Sequence, residues 1–187
     1  MTKTIEVLGL SGSLRRNSYN TALLGAAVDL APAGMEITVA TIGDLPLFNV
    51  DLEEEGAPEP VAAFGKAMSE ADALLIATPE YNWSTTGTLK NALDWASRGG
   101  ADSPLTAKPA AILGAGGRFG TLRAQLHLRE ILGHNRVRLV ESPQVFVDSP
   151  GDKFDDDLRL VHERTRNQVT RLLDALAELV RGAEDPA

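Results

Sequence analysis

The chain contains three short segments that are almost continuously apolar. They span residues 5–10, 73–78 and 110–113. Such runs, which lack a polar face, are typical of strands buried on both sides of a parallel sheet. Residues 36–42 instead alternate polar and apolar side chains, which predicts a further strand. A fifth strand is predicted within residues 137–147.

Between these segments the apolar residues recur three and four positions apart, and this spacing predicts helices. The first helix is expected to begin near Ser18 or Asn20, which are both common N-cap residues, and to run to Ala31. The other predicted helices span residues 61–70, 87–97, 121–132 and 155–181. Residues 43–60 remain a long loop, and we interpret its acidic run, 53–55, as a solvated surface.

Strands that alternate with helices predict an α/β fold with a parallel sheet covered on both faces. Five strands favour the doubly wound, flavodoxin-like order 2-1-3-4-5. A chain of 187 residues suits one domain, which we place at 1–182, followed by a disordered tail at 183–187. Ligands of such sheets bind beyond the carboxyl ends of the strands. The loops after strands one, three and four are therefore expected to surround one ligand.

The loop after the first strand, residues 12–20, is rich in hydroxyl and guanidinium groups. It leads into a helix, whose N-terminus presents free N–H groups and a partial positive charge. Arg15 and Arg16 add fixed charge, so the loop suits a phosphate monoester. It lacks the Gly-Lys-Ser/Thr of a nucleotide-binding P-loop and the Gly-x-Gly-x-x-Gly of a dinucleotide site. Residues of this kind could equally be a capped helix with exposed arginines.

The loop after the third strand, residues 79–86, and the helix that follows it contain one of the two tyrosines and both tryptophans. A flat heteroaromatic ligand needs polar groups at its edge and apolar groups on its faces. Tyr81 or Trp83 could border such a ring, whereas Trp95 has the spacing of a core residue. Glu80 is either a catalytic base or a structural residue that binds backbone N–H groups.

The composition of the chain argues against nucleic-acid binding, metal binding and insertion into a membrane. The net charge of −8 argues against nucleic acid as a partner. Cysteine is absent, and there are only three histidines, so the sequence argues against a metal site. His127, His134 and His162 are expected at a surface or interface. The N-terminal residues do not resemble a signal peptide and no apolar run reaches the length of a membrane span, so we expect a soluble, cytoplasmic protein.

The two loops together resemble the NADPH-dependent FMN reductase family, which includes bacterial quinone, chromate and azo-dye reductases. Residues 12–20 match the family pattern Gly-Ser-Leu-Arg-x-x-Ser-x-Asn at every specified position. Residues 79–95 match Pro-Glu-Tyr-Asn-x-Ser-x-Pro-Gly-x-Leu-Lys-Asn-Ala-x-Asp-Trp at all but one, since Thr86 replaces a proline. The threonine restores an N–H, and it is expected either to loosen the loop or to cap the helix.

The resemblance implies a site for FMN, with NADPH or NADH as electron donor. The residues expected to hold its phosphate are Ser13, Arg15, Ser18 and Asn20, with Tyr19 beside it. The residues expected at the ribityl chain and the ring are Pro79, Glu80, Tyr81, Asn82, Ala115, Gly116 and Gly117. No catalytic side chain is required, because FMN itself carries the redox chemistry. Arg118 and Arg123 are left as candidates either for the nucleotide's phosphate or for a subunit contact.

The resemblance also implies the reaction, a ping-pong transfer of hydride from NAD(P)H to a quinone, an azo compound, a metal oxyanion or free flavin. It further implies a homodimer or homotetramer. Two alternatives stay open from the sequence: a flavodoxin-type electron carrier without nucleotide turnover, and a flavin-free binding protein on the same fold. Arg15 disfavours the carrier, since flavodoxins usually read the phosphate with a loop lacking this arginine.

Overall fold

The computed structural model describes residues 3–184, and it contains one parallel sheet with helices on both faces. The strands are β1 (Ile5–Ser11), β2 (Met35–Ala40), β3 (Ala73–Ala77), β4 (Pro109–Ala115), β5 (Arg138–Leu139) and β6 (Val145–Val147). The helices are α1 (Tyr19–Asp29), α2 (Val50–Glu54), α3 (Glu59–Glu70), α4 (Gly87–Ala96), α5 (Leu122–His134) and α6 (Glu163–Glu184). Of the predicted tail, residues 185–187 lie outside the described residues, while α6 includes positions 183 and 184.

The predicted strand order 2-1-3-4-5 is confirmed, and every strand pair is parallel. The fifth strand differs from the prediction because it is divided into β5 and β6, which both pair with β4. Pro143 lies between the two pieces and has no N–H to donate to a ladder. The sheet thus has six strands instead of five.

Each buried strand contributes to two separate cores because its side chains alternate between the faces of the sheet. One core packs strand residues such as Val7 and Leu75 against α1 and α6. The other packs residues such as Leu10 and Ile76 against α3, α4 and α5. This arrangement explains why the strands have no polar face in the sequence.

The last helix begins at Glu163 and not at Asp155 as the apolar spacing predicted. Leu158 adopts a left-handed backbone (φ 59°), and Asp155 accepts a hydrogen bond from Arg159 N at 2.7 Å. A bridge between Phe154 and Leu160 closes the segment into a loop, and both side chains are buried in the core. Val161, which lies within the span predicted as helix and has the spacing of its apolar face, is exposed instead.

The segment between β2 and α3 is also more ordered than the sequence indicated. Helix α2 lies within the predicted loop and is capped by Asn49, and α3 begins at Glu59, two residues earlier than expected. Within the acidic run, Glu53 forms an ion pair of 2.8 Å with Arg98, while Glu54 and Glu55 are not buried.

Candidate cofactor-binding site

A cleft of about 310 Å³ opens at the carboxyl edge of the sheet, where the loops after β1, β3 and β4 meet. Its lining residues are Ser13, Arg15, Ser18, Tyr19, Asn20, Pro79, Glu80, Tyr81, Ala115, Gly116, Gly117 and Pro150. Eleven of them are residues that the family resemblance implied, and the structure brings them together in one place. Asn82 is the exception, since it does not line the cleft.

The register of the sheet explains this convergence. Ser11 pairs with Ala77, and Ala77 pairs with Leu113, so the three strands end at nearly the same level. The ladder continues into the loops, because Gly12 N donates to Ala77 O at 2.8 Å and Thr78 N donates to Leu113 O at 3.0 Å. The three loops therefore leave the sheet side by side.

Ser18 shapes the end of the cleft nearest to α1. It is the N-cap of that helix, and its Oγ accepts hydrogen bonds from Asn20 N (3.2 Å) and Thr21 N (3.3 Å). Its own hydroxyl proton remains available to a ligand, and the first turn of α1 carries no acidic residue. The positive end of the helix dipole is thus left uncompensated, which favours an anion there.

The preceding turn is held by its own side chains. Ser13 Oγ accepts from Arg15 N at 3.3 Å, and the Arg15 guanidinium donates one hydrogen bond to Asn17 O at 3.0 Å. Within residues 3–184, the consecutive N–H groups of 16–19 make no hydrogen bond to protein. Successive free N–H groups beside a guanidinium form a concave donor surface of the kind that binds phosphate.

Asn20 is committed to the protein and links two of the loops. Its Nδ2 donates to Ala115 O at 2.8 Å, and its Oδ1 accepts from Ala115 N at 2.9 Å. The side chain is buried, with 4% of its surface exposed. Its amide therefore fastens α1 to the end of β4, although it was expected to bind phosphate.

One wall of the cleft was not predicted from the sequence. Pro150 belongs to the segment after β6, which is fastened by a hydrogen bond of 2.9 Å from Ser149 N to Gly117 O. The ring of Phe154 in this segment packs against Tyr19, with 5.3 Å between the centroids. The turn-forming residues 149–152 directly follow a predicted strand, so the rule that loops meet at the carboxyl edge could have found this wall.

The loop after β3 contains a tight turn at residues 81–84. Tyr81 and Ser84 exchange two backbone hydrogen bonds of 3.0 Å, while Asn82 (φ 50°) and Trp83 (φ 65°) have left-handed backbones. Such a conformation is strained for a bulky residue such as tryptophan. The Arg123 guanidinium lies 4.2 Å from the Trp83 ring centroid, and this contact holds the turn in place.

Glu80 binds the start of α5, and this contact favours the structural one of the two roles that the sequence left open. Its Oε2 accepts from Arg123 N (2.9 Å) and Ala124 N (3.3 Å), while its Oε1 pairs with Arg123 Nη1 at 3.0 Å. Arg123 is thereby committed to Glu80 and Trp83.

The loop after β4 approaches the cleft through its backbone. A side chain at Gly114 would fall on the Thr121 hydroxyl and within 2.5 Å of Thr78 O, so only glycine fits there. Gly116 N donates to Val147 O at 3.0 Å, whereas Gly117 N has no hydrogen-bond partner within residues 3–184. Of these two N–H groups, only that of Gly117 is free among the described residues.

Other residues that were weighed as functional lie away from the cleft. Trp95 is buried and donates from its indole N–H to Pro46 O at 2.8 Å, so it is a core residue as expected. None of the three histidines lines the cleft; His127 contacts Ser84 at 3.0 Å and His162 contacts Thr165 at 2.8 Å. Among the described residues no acidic or histidine cluster could hold a metal ion. None of the helices within residues 3–184 combines the length and the apolar composition of a membrane span.

The donor set fits FMN. The end of the cleft near α1 offers free N–H groups, a guanidinium and three hydroxyls. The one carboxylate that lines the cleft, that of Glu80, lies at the other end and pairs with Arg123. The opposite end offers a free backbone N–H at Gly117 and the ring of Tyr81. A ligand with a dianionic phosphate at one end and a flat, polar-edged ring at the other matches both.

Comparison with known proteins agrees with this geometry. The model of the NADPH-dependent FMN reductase family matches residues 5–152. An NAD(P)H-dependent FMN reductase of Pseudomonas aeruginosa is 48% identical over 182 residues, covering 97% of this chain and 98% of that protein. An NAD(P)H:quinone oxidoreductase of Solanum tuberosum is 44% identical over 181 residues, covering 94% and 92%.

A similar solved structure is that of FerB, a flavoenzyme NAD(P)H:(acceptor) oxidoreductase from Paracoccus denitrificans. It superposes with a TM-score of 0.87 at 32% identity and covers 95% of this chain and 98% of its own. The family match extends from β1 to the segment after β6, and so includes every loop that lines the cleft. The chain belongs to the NADPH-dependent FMN reductase family, and it is an oxidoreductase that uses FMN and NAD(P)H.

Proposed function

We propose that this protein transfers electrons from NADPH or NADH to small quinones, with donor and acceptor reacting alternately at one open face of FMN. The observation that carries this proposal is the cleft itself. It gathers the residues expected at the phosphate and all but one of those expected at the ring into one space of about 310 Å³. Pockets of this size are typical of small-molecule and cofactor sites.

The residues at the α1 end would hold the phosphate. Arg15 supplies charge, the hydroxyls of Ser13, Ser18 and Tyr19 are donors, and the N–H groups of 16–19 surround the anion. Asn20 would act indirectly, because its amide fixes Ala115 and through it the opposite loop. Charge-assisted hydrogen bonds are stronger than neutral ones, so this end would supply most of the binding energy.

The residues at the other end would orient the ring. FMN, when bound, supplies the redox chemistry by accepting a hydride from the nucleotide and returning electrons to the acceptor. The Gly117 N–H would donate to a ring-edge oxygen, where it would stabilise negative charge that develops on reduction. Pro79 and Tyr81 would border the ring, and Tyr81 is half exposed, so an arriving acceptor would have access to it.

Quinones are the favoured acceptors for two reasons. A relative that covers nearly the whole chain is named as a quinone oxidoreductase. The exposed ring of Tyr81 offers a flat aromatic surface beside the cleft, to which a flat acceptor would stack. Azo dyes, metal oxyanions and free flavin are the competing acceptors.

A steady-state screen of the full chain loaded with FMN tests the proposal. We expect oxidation of NADPH or NADH, followed at 340 nm, to depend on added benzoquinone and to give parallel double-reciprocal lines when both substrates are varied. Intersecting lines would exclude the alternating order. Faster turnover with an azo dye, chromate or free FMN would replace quinones as the acceptor class. Flavin binding without any nucleotide oxidation would favour an electron carrier.

The homodimer or homotetramer that the family resemblance implies is a separate proposal. Light scattering on the eluting peak of a size-exclusion column measures the mass directly. We expect two or four times the mass of one chain, and the mass of a single chain would contradict it.

A further inference from the structure

Thr86 is the one residue of the second family motif that departs from the common pattern, and its side chain is buried at the N-terminus of α4. Its hydroxyl makes two hydrogen bonds: it donates to Gly12 O at 2.7 Å and accepts from Leu89 N at 3.3 Å. The second bond caps α4, which was one of the two expected outcomes. The first joins the loop after β3 to the loop after β1.

The contact with Gly12 lies where the phosphate-end loop leaves the sheet. Gly12 directly precedes Ser13, which lines the cleft, and its N–H is already bound to Ala77 O. A side chain at Gly12 would lie 3.1 Å from Pro79 and 3.2 Å from the Thr86 hydroxyl, so the two loops are closely packed. The backbone of Gly12 is thus held between β3 on one side and Thr86 on the other.

Both hydrogen bonds of Thr86 are buried, so water does not replace them when they are removed. Loss of the hydroxyl leaves Gly12 O and Leu89 N without partners, and the first of these groups can regain one only by moving the loop. The displaced loop would carry Ser13 and Arg15 with it.

We propose that Thr86 is a positioning residue for the phosphate end of the cleft: it fixes Gly12, and hence the Ser13–Arg15 turn, relative to the loop that borders the ring. This inference rests on the proposed assignment of the FMN phosphate to that turn. The backbone angles of Thr86 (φ −80°, ψ 152°) are also open to proline. In this chain a hydrogen bond between the loops therefore takes the place of proline's rigidity.

The test compares FMN with riboflavin, which lacks the phosphate, in fluorescence titrations of the full chain. Thr86→Val keeps the shape but removes the hydroxyl, and we expect FMN affinity to fall roughly tenfold while riboflavin affinity changes less than about twofold. Thr86→Ser restores the hydroxyl and should restore the preference for FMN. Thr86→Ala also removes the hydroxyl and does not have proline's rigidity, so it should lose the preference too, and it serves if the valine variant does not fold.

Ser103→Ala is the matched control. The Ser103 hydroxyl also donates to a carbonyl, Ala96 O at 2.8 Å, and accepts from an N–H, Leu105 N at 3.2 Å, but it is buried beyond the other end of α4. We expect this variant to lose stability while keeping the ratio of the two affinities. If the valine and alanine variants keep that ratio, Thr86 is only a helix cap and the inference fails. If the unaltered protein binds riboflavin as tightly as FMN, the phosphate assignment itself fails.

Discussion

The two ends of the cleft differ in how their polar groups are used. At the end near α1, the guanidinium of Arg15, the hydroxyl of Ser18 and a run of N–H groups are left largely free to bind a ligand. At the other end the polar side chain of Glu80 is consumed by contacts within the protein. The end near α1 therefore presents free hydrogen-bond donors, whereas the other end presents backbone that contacts within the protein hold in one conformation.

The free groups are expected to determine how tightly FMN binds, and the groups bonded within the protein are expected to determine the shape of the cleft. Free charged donors contribute affinity for a phosphate, and their removal leaves the packed fold nearly untouched. Committed groups hold the loops, so their removal is expected to lower the stability of the fold first. Asn20 belongs with the second group although it lies at the first end, since both of its amide atoms bind Ala115.

The largest effect is expected for Asn20→Ala. The change leaves the buried N–H and C=O of Ala115 without their hydrogen-bond partners. The free energy of unfolding should therefore fall by about 2–4 kcal/mol. Urea denaturation of the flavin-free protein measures this without the stabilisation that a ligand adds. Asn17→Ala is the control, because Asn17 is exposed and its side chain makes no hydrogen bond within residues 3–184. A loss below about 1 kcal/mol would mean that the loops hold together without the amide.

The next effect concerns affinity alone. Arg15→Ala removes a charged donor from the phosphate end, so FMN should bind about 10- to 100-fold more weakly while riboflavin binding hardly changes. Fluorescence titration with both flavins measures the two constants. Arg16→Ala removes the same charge one residue away, outside the cleft, and should leave FMN binding within about threefold. Equal weakening of both flavins by the Arg15 variant would contradict a phosphate contact.

Most of the fold could be predicted from the apolar pattern, because a parallel strand that is buried on both faces is a continuous apolar run in the sequence. Contacts between neighbouring residues do not change this pattern. The predictions were wrong where the spacing of apolar side chains favoured one structure and the hydrogen-bonding capacity of the local residues favoured another. Leu158 and Val161 have helical spacing, but the preceding aspartates favour a loop: Asp155 binds the backbone N–H of Arg159. Pro143 interrupts the fifth strand, although the residues on both sides favour a strand.

The site was predictable in its members but not in their roles. The family resemblance implied eleven residues of the cleft. The rule that the loops after adjacent parallel strands meet at one edge predicted that these loops come together. A polar group of the site is free or bonded depending on residues that are distant in the sequence. No local sequence pattern indicates which residues these partners are. Asn20 meets Ala115 and Thr86 meets Gly12, in each case more than 70 positions away along the chain.

The smallest effect is expected for Glu80→Gln, and it decides between a structural and a catalytic carboxylate. Glutamine keeps an acceptor for the N–H groups of α5 but loses the charge that pairs with Arg123, so stability should fall by about 1 kcal/mol. NADPH oxidation by the FMN-loaded variant should stay within about twofold of the original rate.

Glu141→Gln is its matched control. It also removes a carboxylate paired with an arginine, Arg129 at 3.4 Å, but 83% of the Glu141 side chain is exposed, compared with 16% for Glu80. An exposed pair contributes little, so the control should lose less than about 0.5 kcal/mol. If instead Glu80→Gln lowered the rate by about 100-fold or more at unchanged stability, Glu80 would act as an acid or base in the reaction. The end of the cleft that borders the ring would then bear chemistry of its own.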